Sequence, residues 1–182
     1  MTEKEKMLSE KLFISDKELF LERQYAKELI FDLNNLRPNK LKEKNKILSK
    51  LLSKIGSNIF IEPPFRCDYG YNIEIGDNFY SNYNLTILDS SKVIIGNNVL
   101  IGPNVGIYTA GHPIDVTDRV NNLEYGKSII IKDNVWIGGS VVICPGVIIG
   151  KNSIIGAGSV VTKNIAKNVV AVGNPCKVIK NI

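Results

Sequence analysis

From Ile75 onward the chain repeats itself every six residues, and no other feature restricts its fold so tightly. IGDNFY, IGNNVL, IGPNVG, IKDNVW, IGGSVV, ICPGVI, IGKNSI, IGAGSV and VTKNIA share an aliphatic first position, at Ile75, Ile95, Ile101, Ile131, Ile137, Ile143, Ile149, Ile155 and Val161. The fifth position is apolar or small, as in Phe79, Val99, Val105, Val135, Val141, Val147, Ser153, Ser159 and Ile165. The fifth residue of one unit and the first of the next are two apart, so both point inward from one short strand. The fourth position is Asn or Gly except at Ser140. Asn and Gly tolerate a left-handed backbone, so each unit turns a corner there. Short parallel strands joined by tight corners predict a mainly β chain, a parallel β-helix of stacked rungs.

The repeat breaks in two places. Ile75 and Ile95 are twenty apart, which puts two extra residues around Asp89–Lys92. Between Pro113 and Ser128 the pattern is absent and the segment polar, which predicts a loop, 113–128, projecting from the coil. Long loops on rigid scaffolds often carry function. His112, the only histidine of the chain, stands at the base of this one.

Residues 1–56 read differently, as a helical subdomain ahead of a β-helix domain over 57–182. TEKE and SDKE are capping-box patterns. Ala26, Leu29, Ile30 and Leu33 recur at helical spacing until Asn34, Asn35 and Pro38 stop them. Ile47, Leu48, Leu51, Leu52 and Ile55 form a further stripe, with Gly56 expected as its C-terminal cap. The charged start, MTEKEKMLSEK, does not read as a secretory signal, and no apolar run approaches the roughly 20 residues of a membrane span. Cys67, Cys144 and Cys176 lack CxxC spacing, which suits reduced thiols and a cytoplasmic location. One histidine and scattered cysteines argue against a metal site. A net charge of +5 without an arginine stripe or reading motif argues against nucleic acid.

EPPFRCDYGYNI, IGDNFYSNYNLTILD, IYTAGHPID, VWIGGSVVICPGVIIG and IGAGSVVTK stand in this order after the N-terminal helices. Together they resemble the hexapeptide-repeat sugar O-acetyltransferases, the maltose and galactoside group, over nearly the whole chain. The resemblance implies a left-handed coil, a homotrimer and acetyl-CoA as donor. It makes His112 the general base and Asn82 a group that orients or stabilises the reacting centre. It puts Tyr80, Asp68, Asp89, Glu124, Asp16 and Arg23 on the acceptor side. Trp136, Gly139, Ala157, Thr162 and Lys163 then line the coenzyme groove, and Lys177 and Lys180 lie near the coenzyme phosphates. On the residues alone, Asn82 and Asp89 also serve as coil corners, Trp136 as a cover for the core, and the two lysines as solvated charges.

The chemistry suits this set. A sugar hydroxyl attacks a thioester only as its proton is removed, and neutral histidine can take and return a proton near pH 7. Gly139 would expose a backbone N–H to the developing oxyanion. Direct transfer needs no protein nucleophile. The galactoside branch carries a second aspartate at the position of Ser90, serine in place of Asp68, and arginines in place of Lys177 and Lys180. The expected acceptor is therefore a maltose- or glucose-like sugar acetylated on its 6-hydroxyl. A galactoside, or an antibiotic or other small hydroxyl compound, is the alternative. A non-enzymatic solenoid would not need the loop and its histidine. A zinc solenoid of the carbonic-anhydrase kind needs three histidines.

Overall fold

The structure, a computed structural model, describes residues 1–182. Three helices precede the coil: α1 (Glu3–Leu8), α2 (Lys17–Asn35) and α3 (Leu41–Leu51). Thr2 caps α1 in the full reciprocal box with Glu5, as TEKE predicts. The SDKE box does not form. Asp16 caps α2 instead, accepting from the Leu19 N–H at 3.0 Å, and the Ser15 hydroxyl accepts from Arg23 Nη2 at 2.7 Å. The third stripe overshoots as well. α3 ends at Leu51, Leu52 closes it, and Ile55 already belongs to the coil, so Gly56 caps no helix. Gly56 is instead a corner at which a Cβ would lie 2.6 Å from the Gly76 carbonyl carbon. Helical and coil spacings coincide at Ile55, and strand pairing with Ile75 decides between them.

The coil has three flat faces of parallel strands. The first stacks Lys54–Ile55, Ile73–Ile75, Val93–Ile95, Ile129–Ile131 and Ile148–Ile149. The second stacks Phe60–Ile61, Tyr80–Ser81, Leu100–Ile101, Trp136–Ile137, Ile154–Ile155 and Val169–Val172, and the antiparallel Lys177–Asn181 closes it. The third stacks Arg66–Cys67, Thr86–Leu88, Gly106–Tyr108, Val142–Ile143 and Val160–Val161. Every first-position aliphatic of the repeat is buried, and so is every fifth-position residue. Eight of the nine fourth positions have positive φ; Asn164 is the exception. At the corner between the first and second faces, Asn58, Asn78, Asn98, Asn134, Asn152 and Asn168 form a ladder. Each side-chain amide donates to the next carbonyl oxygen at 2.7–3.0 Å.

The insertions all fall at the corner between the third and first faces. Pairing of Lys54 with Glu74 and of Glu74 with Ile94 gives two coils of twenty residues, against eighteen where Trp136 pairs with Ile154. One pair of extra residues lies at Asp89–Lys92, as the repeat predicts, and another at Asp68–Asn72, where no hexapeptide is legible. The long loop leaves from the coil that follows. Three successive turns therefore bulge at one edge, so Asp68, Asp89 and the His112 loop are stacked. The loop itself is ordered. α4 (Val116–Val120) is followed by Leu123–Gly126, which pairs antiparallel with both Ala110–Gly111 and Phe13–Ile14. A small second core of Met7, Phe13, Leu19 and Tyr69 anchors the N-terminal helices beside this edge.

Candidate active site

His112 is exposed just beyond the Ala110–Gly111 strand, and its Nδ1 lies 3.3 Å from the Leu123 carbonyl oxygen. With its proton on Nδ1 the ring donates to that carbonyl and leaves the Nε2 lone pair free, the tautomer a general base requires. Glu124, next along the strand, is half-buried and pairs with Phe13. Asp68 is half-buried beside it. Burial pushes the Asp68 carboxyl up, Arg23 pulls it down, Glu124 raises it again and Lys27 lowers it, so these four charges share one neighbourhood. Arg23, Asp68, Glu124 and His112 are thus brought to one edge of the third face, with Asp16 at the start of the helix that carries Arg23.

Asp89 does not join them as a ligand group. It is 0% exposed, and its carboxylate accepts from the backbone N–H groups of Asp68, Tyr69 and Gly70 at 2.7–2.9 Å. Burial pushes its carboxyl up to about 6, while the N–H donors act against that rise. The expected acceptor contact is corrected: Asp89 shapes the turn that presents Asp68. Ser90 is buried too.

The remaining site residues lie elsewhere. Asn82 turns the corner between the second and third faces, its Oδ1 accepting from the Tyr83 N–H at 2.8 Å. Strand Thr86–Leu88 separates Asn82 from Asp89, so in one chain Asn82 and the His112 cluster stand at opposite edges of the third face. Gly139 and Ala157 stack on the Asn82 corner, where the Gly158 N–H donates to the Gly139 carbonyl at 2.9 Å. Neither Gly139 nor Ala157 donates its own N–H to another backbone group, which leaves two unused donors along this edge. A Cβ on Gly139 would meet Pro103 at 3.2 Å. Trp136 is 53% exposed on the second face, in an outward column with Phe60, Tyr80 and Leu100. Lys177 and Lys180 are exposed on the strand closing that face. Thr162 and Lys163 fall on the other edge, at the corner from which the His112 loop also springs.

Burial pushes the Cys67, Cys144 and Cys176 thiols up, which disfavours the nucleophilic thiolate. Two groups escaped the sequence reading. The Leu123 carbonyl is backbone, which no residue pattern marks. Glu10 is bonded to Ser128, 118 residues away, and has no motif.

A parallel β-solenoid of hexapeptide turns, with an exposed histidine on a loop and free N–H donors along one corner, is the architecture of a hexapeptide transferase. Comparison with known proteins narrows the class. Residues 6–56 match the maltose acetyltransferase hexapeptide capping motif, residues 128–163 the bacterial transferase hexapeptide, and residues 92–120 the hexapeptide repeat of succinyl-transferase. The galactoside O-acetyltransferase of Escherichia coli is 45% identical over 160 residues, 88% of this chain and 79% of its own. A maltose O-acetyltransferase structure from Clostridium difficile 630 superposes with a TM-score of 0.99 at 53% identity, covering 100% of this chain and 98% of that one. A galactoside acetyltransferase in complex with coenzyme A gives 0.96 at 45% identity, covering 100% and 92%. The chain belongs to the hexapeptide-repeat maltose/galactoside O-acetyltransferase family and is an acyltransferase. No helix is long and apolar enough to cross a membrane.

Proposed function

We propose that the protein transfers the acetyl group of acetyl-CoA to the 6-hydroxyl of a glucosyl sugar such as maltose or glucose, with His112 as general base. The donor is the compound bound in a related hexapeptide acetyltransferase structure from Vibrio cholerae, 35% identical over 100% of this chain. The observation that carries the reading is the exposed His112 ring, oriented on the Leu123 carbonyl beside Arg23, Asp68 and Glu124. Nε2 takes the hydroxyl proton as the oxygen attacks the thioester carbon, then returns it to the departing coenzyme A sulfur. The Gly139 N–H is free to donate to the oxyanion that develops, and Asn82 orients the reacting centre. Asp68, Glu124 and Arg23 bind the sugar, with Asp16 and Tyr80 at its margins. Carboxylates suit this role because each accepts charge-assisted bonds from hydroxyls.

The working assembly is a homotrimer. The His112 edge and the Asn82 edge of one chain face away from each other across the third face. A second copy brings one edge against the other and completes the groove. The exposed Phe60, Tyr80, Leu100 and Trp136 column, and Ile114 at 96% exposure on the loop, are apolar surfaces that a neighbouring copy would cover. Trp136, Gly139 and Ala157 of one copy, with Lys177 and Lys180, then hold acetyl-CoA against Thr162 and Lys163 of the next. The cytoplasm, which supplies acetyl-CoA and keeps three free thiols reduced, is its location.

An acceptor panel with acetyl-CoA tests the reading: maltose, glucose, a thiogalactoside and a hydroxylated antibiotic, with products placed by NMR. Highest kcat/KM on maltose or glucose, with the ester on the 6-oxygen, is expected. Preference for the galactoside or the drug replaces the acceptor and leaves acetyl transfer standing.

A further inference from the structure

The N-terminal segment reaches the loop through a carboxylate that the mechanism above does not use. Glu10 follows α1 at φ +58, a left-handed backbone that side-chain-bearing residues adopt at a cost. Such strain persists where surrounding contacts over-determine it. Here they do. One oxygen, Oε1, accepts from the Ser128 N–H at 2.8 Å, from the Ser128 hydroxyl, and from the Ser91 hydroxyl at 3.0 Å.

Those donors form the neck of the loop. The chain leaves the coil after Thr109 and returns through Lys127 and Ser128. The Lys127 N–H donates to the Thr109 carbonyl, and the Ser91 N–H to the Thr109 hydroxyl, each at 2.9 Å. The Ser128 hydroxyl holds the Glu10 carboxyl below its usual range, burial opposes, and Lys127 adds attraction. Three residues further on, Phe13 and Ile14 pair with Glu124 and Leu123. The same short run therefore clamps the base of the loop and the strand whose carbonyl orients His112.

We propose that Glu10 is a positioning residue for acyl transfer, its carboxylate locking the loop neck so that Leu123, and through it the His112 ring, is held in register with the acceptor. This rests on His112 being the base. Glu10 touches no reacting atom. Its role is geometric, and catalysis is sensitive to geometry: a misplacement of about 1 Å can cost roughly 100-fold in rate.

Two substitutions separate this role from simple structural support. Glu10→Gly removes the carboxylate while suiting the left-handed backbone, so the fold is not strained further. Glu10→Gln keeps an acceptor oxygen at the same reach. With the best acceptor of the panel, Glu10→Gly should lose roughly 10- to 100-fold in kcat. Its KM for acetyl-CoA and its coenzyme A stoichiometry by calorimetry should match the parent, and amide exchange over residues 110–126 should quicken. Glu10→Gln should recover most of the rate. An unchanged kcat in Glu10→Gly overturns the proposal. So does a loss matched by an equal loss of coenzyme A sites, which marks misfolded chain. His112→Ala in the same assay keeps the two readings apart. If it turns over normally, the base assignment fails and the latch with it. If it is inactive while Glu10→Gly is fully active, only the latch fails.

Discussion

His112 Nδ1 lies 3.3 Å from the carbonyl oxygen of Leu123, eleven residues further along the chain. Leu123 in turn pairs with Ile14, so the ring's partner is fixed by a strand from the far N-terminus. The histidine is therefore oriented by backbone on two sides of a loop that has no hexapeptide register of its own. Exposure and orientation together are what a proton-transfer group needs: access to substrate and one defined tautomer.

Asp68 is presented to the same edge by the Asp89 carboxylate, which accepts from the Asp68 N–H at 2.9 Å. Removing an acceptor from a bound sugar hydroxyl leaves that hydroxyl unpaired, at about 1–3 kcal/mol. Asp68→Ala should raise KM for the sugar by roughly 5- to 150-fold and leave KM for acetyl-CoA within about twofold. Steady-state kinetics with each substrate varied in turn check this. Equal effects on both substrates would remove Asp68 from the acceptor pocket.

Asp89 gives a pH prediction of definite sign. Burial pushes its carboxyl in the folded chain up to about 6, against an ordinary value of 3.8. The folded chain thus holds the extra proton between about pH 4 and pH 6. The stability linked to this proton is fully present below about pH 4 and is lost, by roughly 3 kcal/mol, as pH rises through 6. Asp89→Asn lacks this titration, although its amide turns an N–H₂ toward the Gly70 N–H. Urea unfolding at matched concentration should show the wild-type advantage over Asp89→Asn shrinking between pH 4.5 and pH 7. Parallel stability curves would contradict it.

Much of this was legible in the sequence, and the limits have physical causes. The coil was readable because each rung buries its aliphatics through local spacing and turns on residues that accept positive φ. The loop was visible as a gap in that spacing. Asp89 is ambiguous in the sequence, because a carboxylate in a corner looks the same whether it faces a sugar or three backbone N–H groups; its 0% exposure decides for the corner. The turn at Asp68–Asn72 was hidden because no hexapeptide is legible ahead of it, whereas Ile75 and Ile95 flank the equal insertion at Asp89–Lys92. The ordered loop strand and Glu10 depend on pairings of high sequence separation, which periodicity cannot carry.

The asparagine ladder should be worth more than its backbone conformation alone. Asn98 accepts from Asn78 at 3.0 Å, donates to Asn134 at 2.9 Å, and has φ +55. Asn98→Gly keeps the backbone and loses the bonds, whereas Asn98→Ala loses both. The alanine variant should be less stable than the glycine variant by about 1 kcal/mol, and the glycine variant less stable than the parent. Chemical denaturation measures both gaps. Equal stability of Asn98→Gly and the parent would show the ladder to be inert.

A shared site predicts complementation between two inactive chains. Asn82→Ala damages one edge of the third face and His112→Ala the other. In a cyclic trimer containing both chains, one of the three junctions has two intact edges. Random mixing in equal amounts should therefore restore about a quarter of wild-type activity. Mixing by co-refolding, followed by rate measurement, checks this. No recovery in demonstrably mixed oligomers would place the whole site within one chain.

The most direct test of the account is the turnover of His112→Ala with acetyl-CoA and saturating sugar, alongside its affinity for coenzyme A. Loss of the base predicts a fall in kcat of roughly 10²- to 10⁴-fold with coenzyme A binding unchanged, since the residues proposed to hold the coenzyme do not include His112. Turnover near that of the parent would show that the hydroxyl proton leaves by another route, and the assignment of His112 would be wrong.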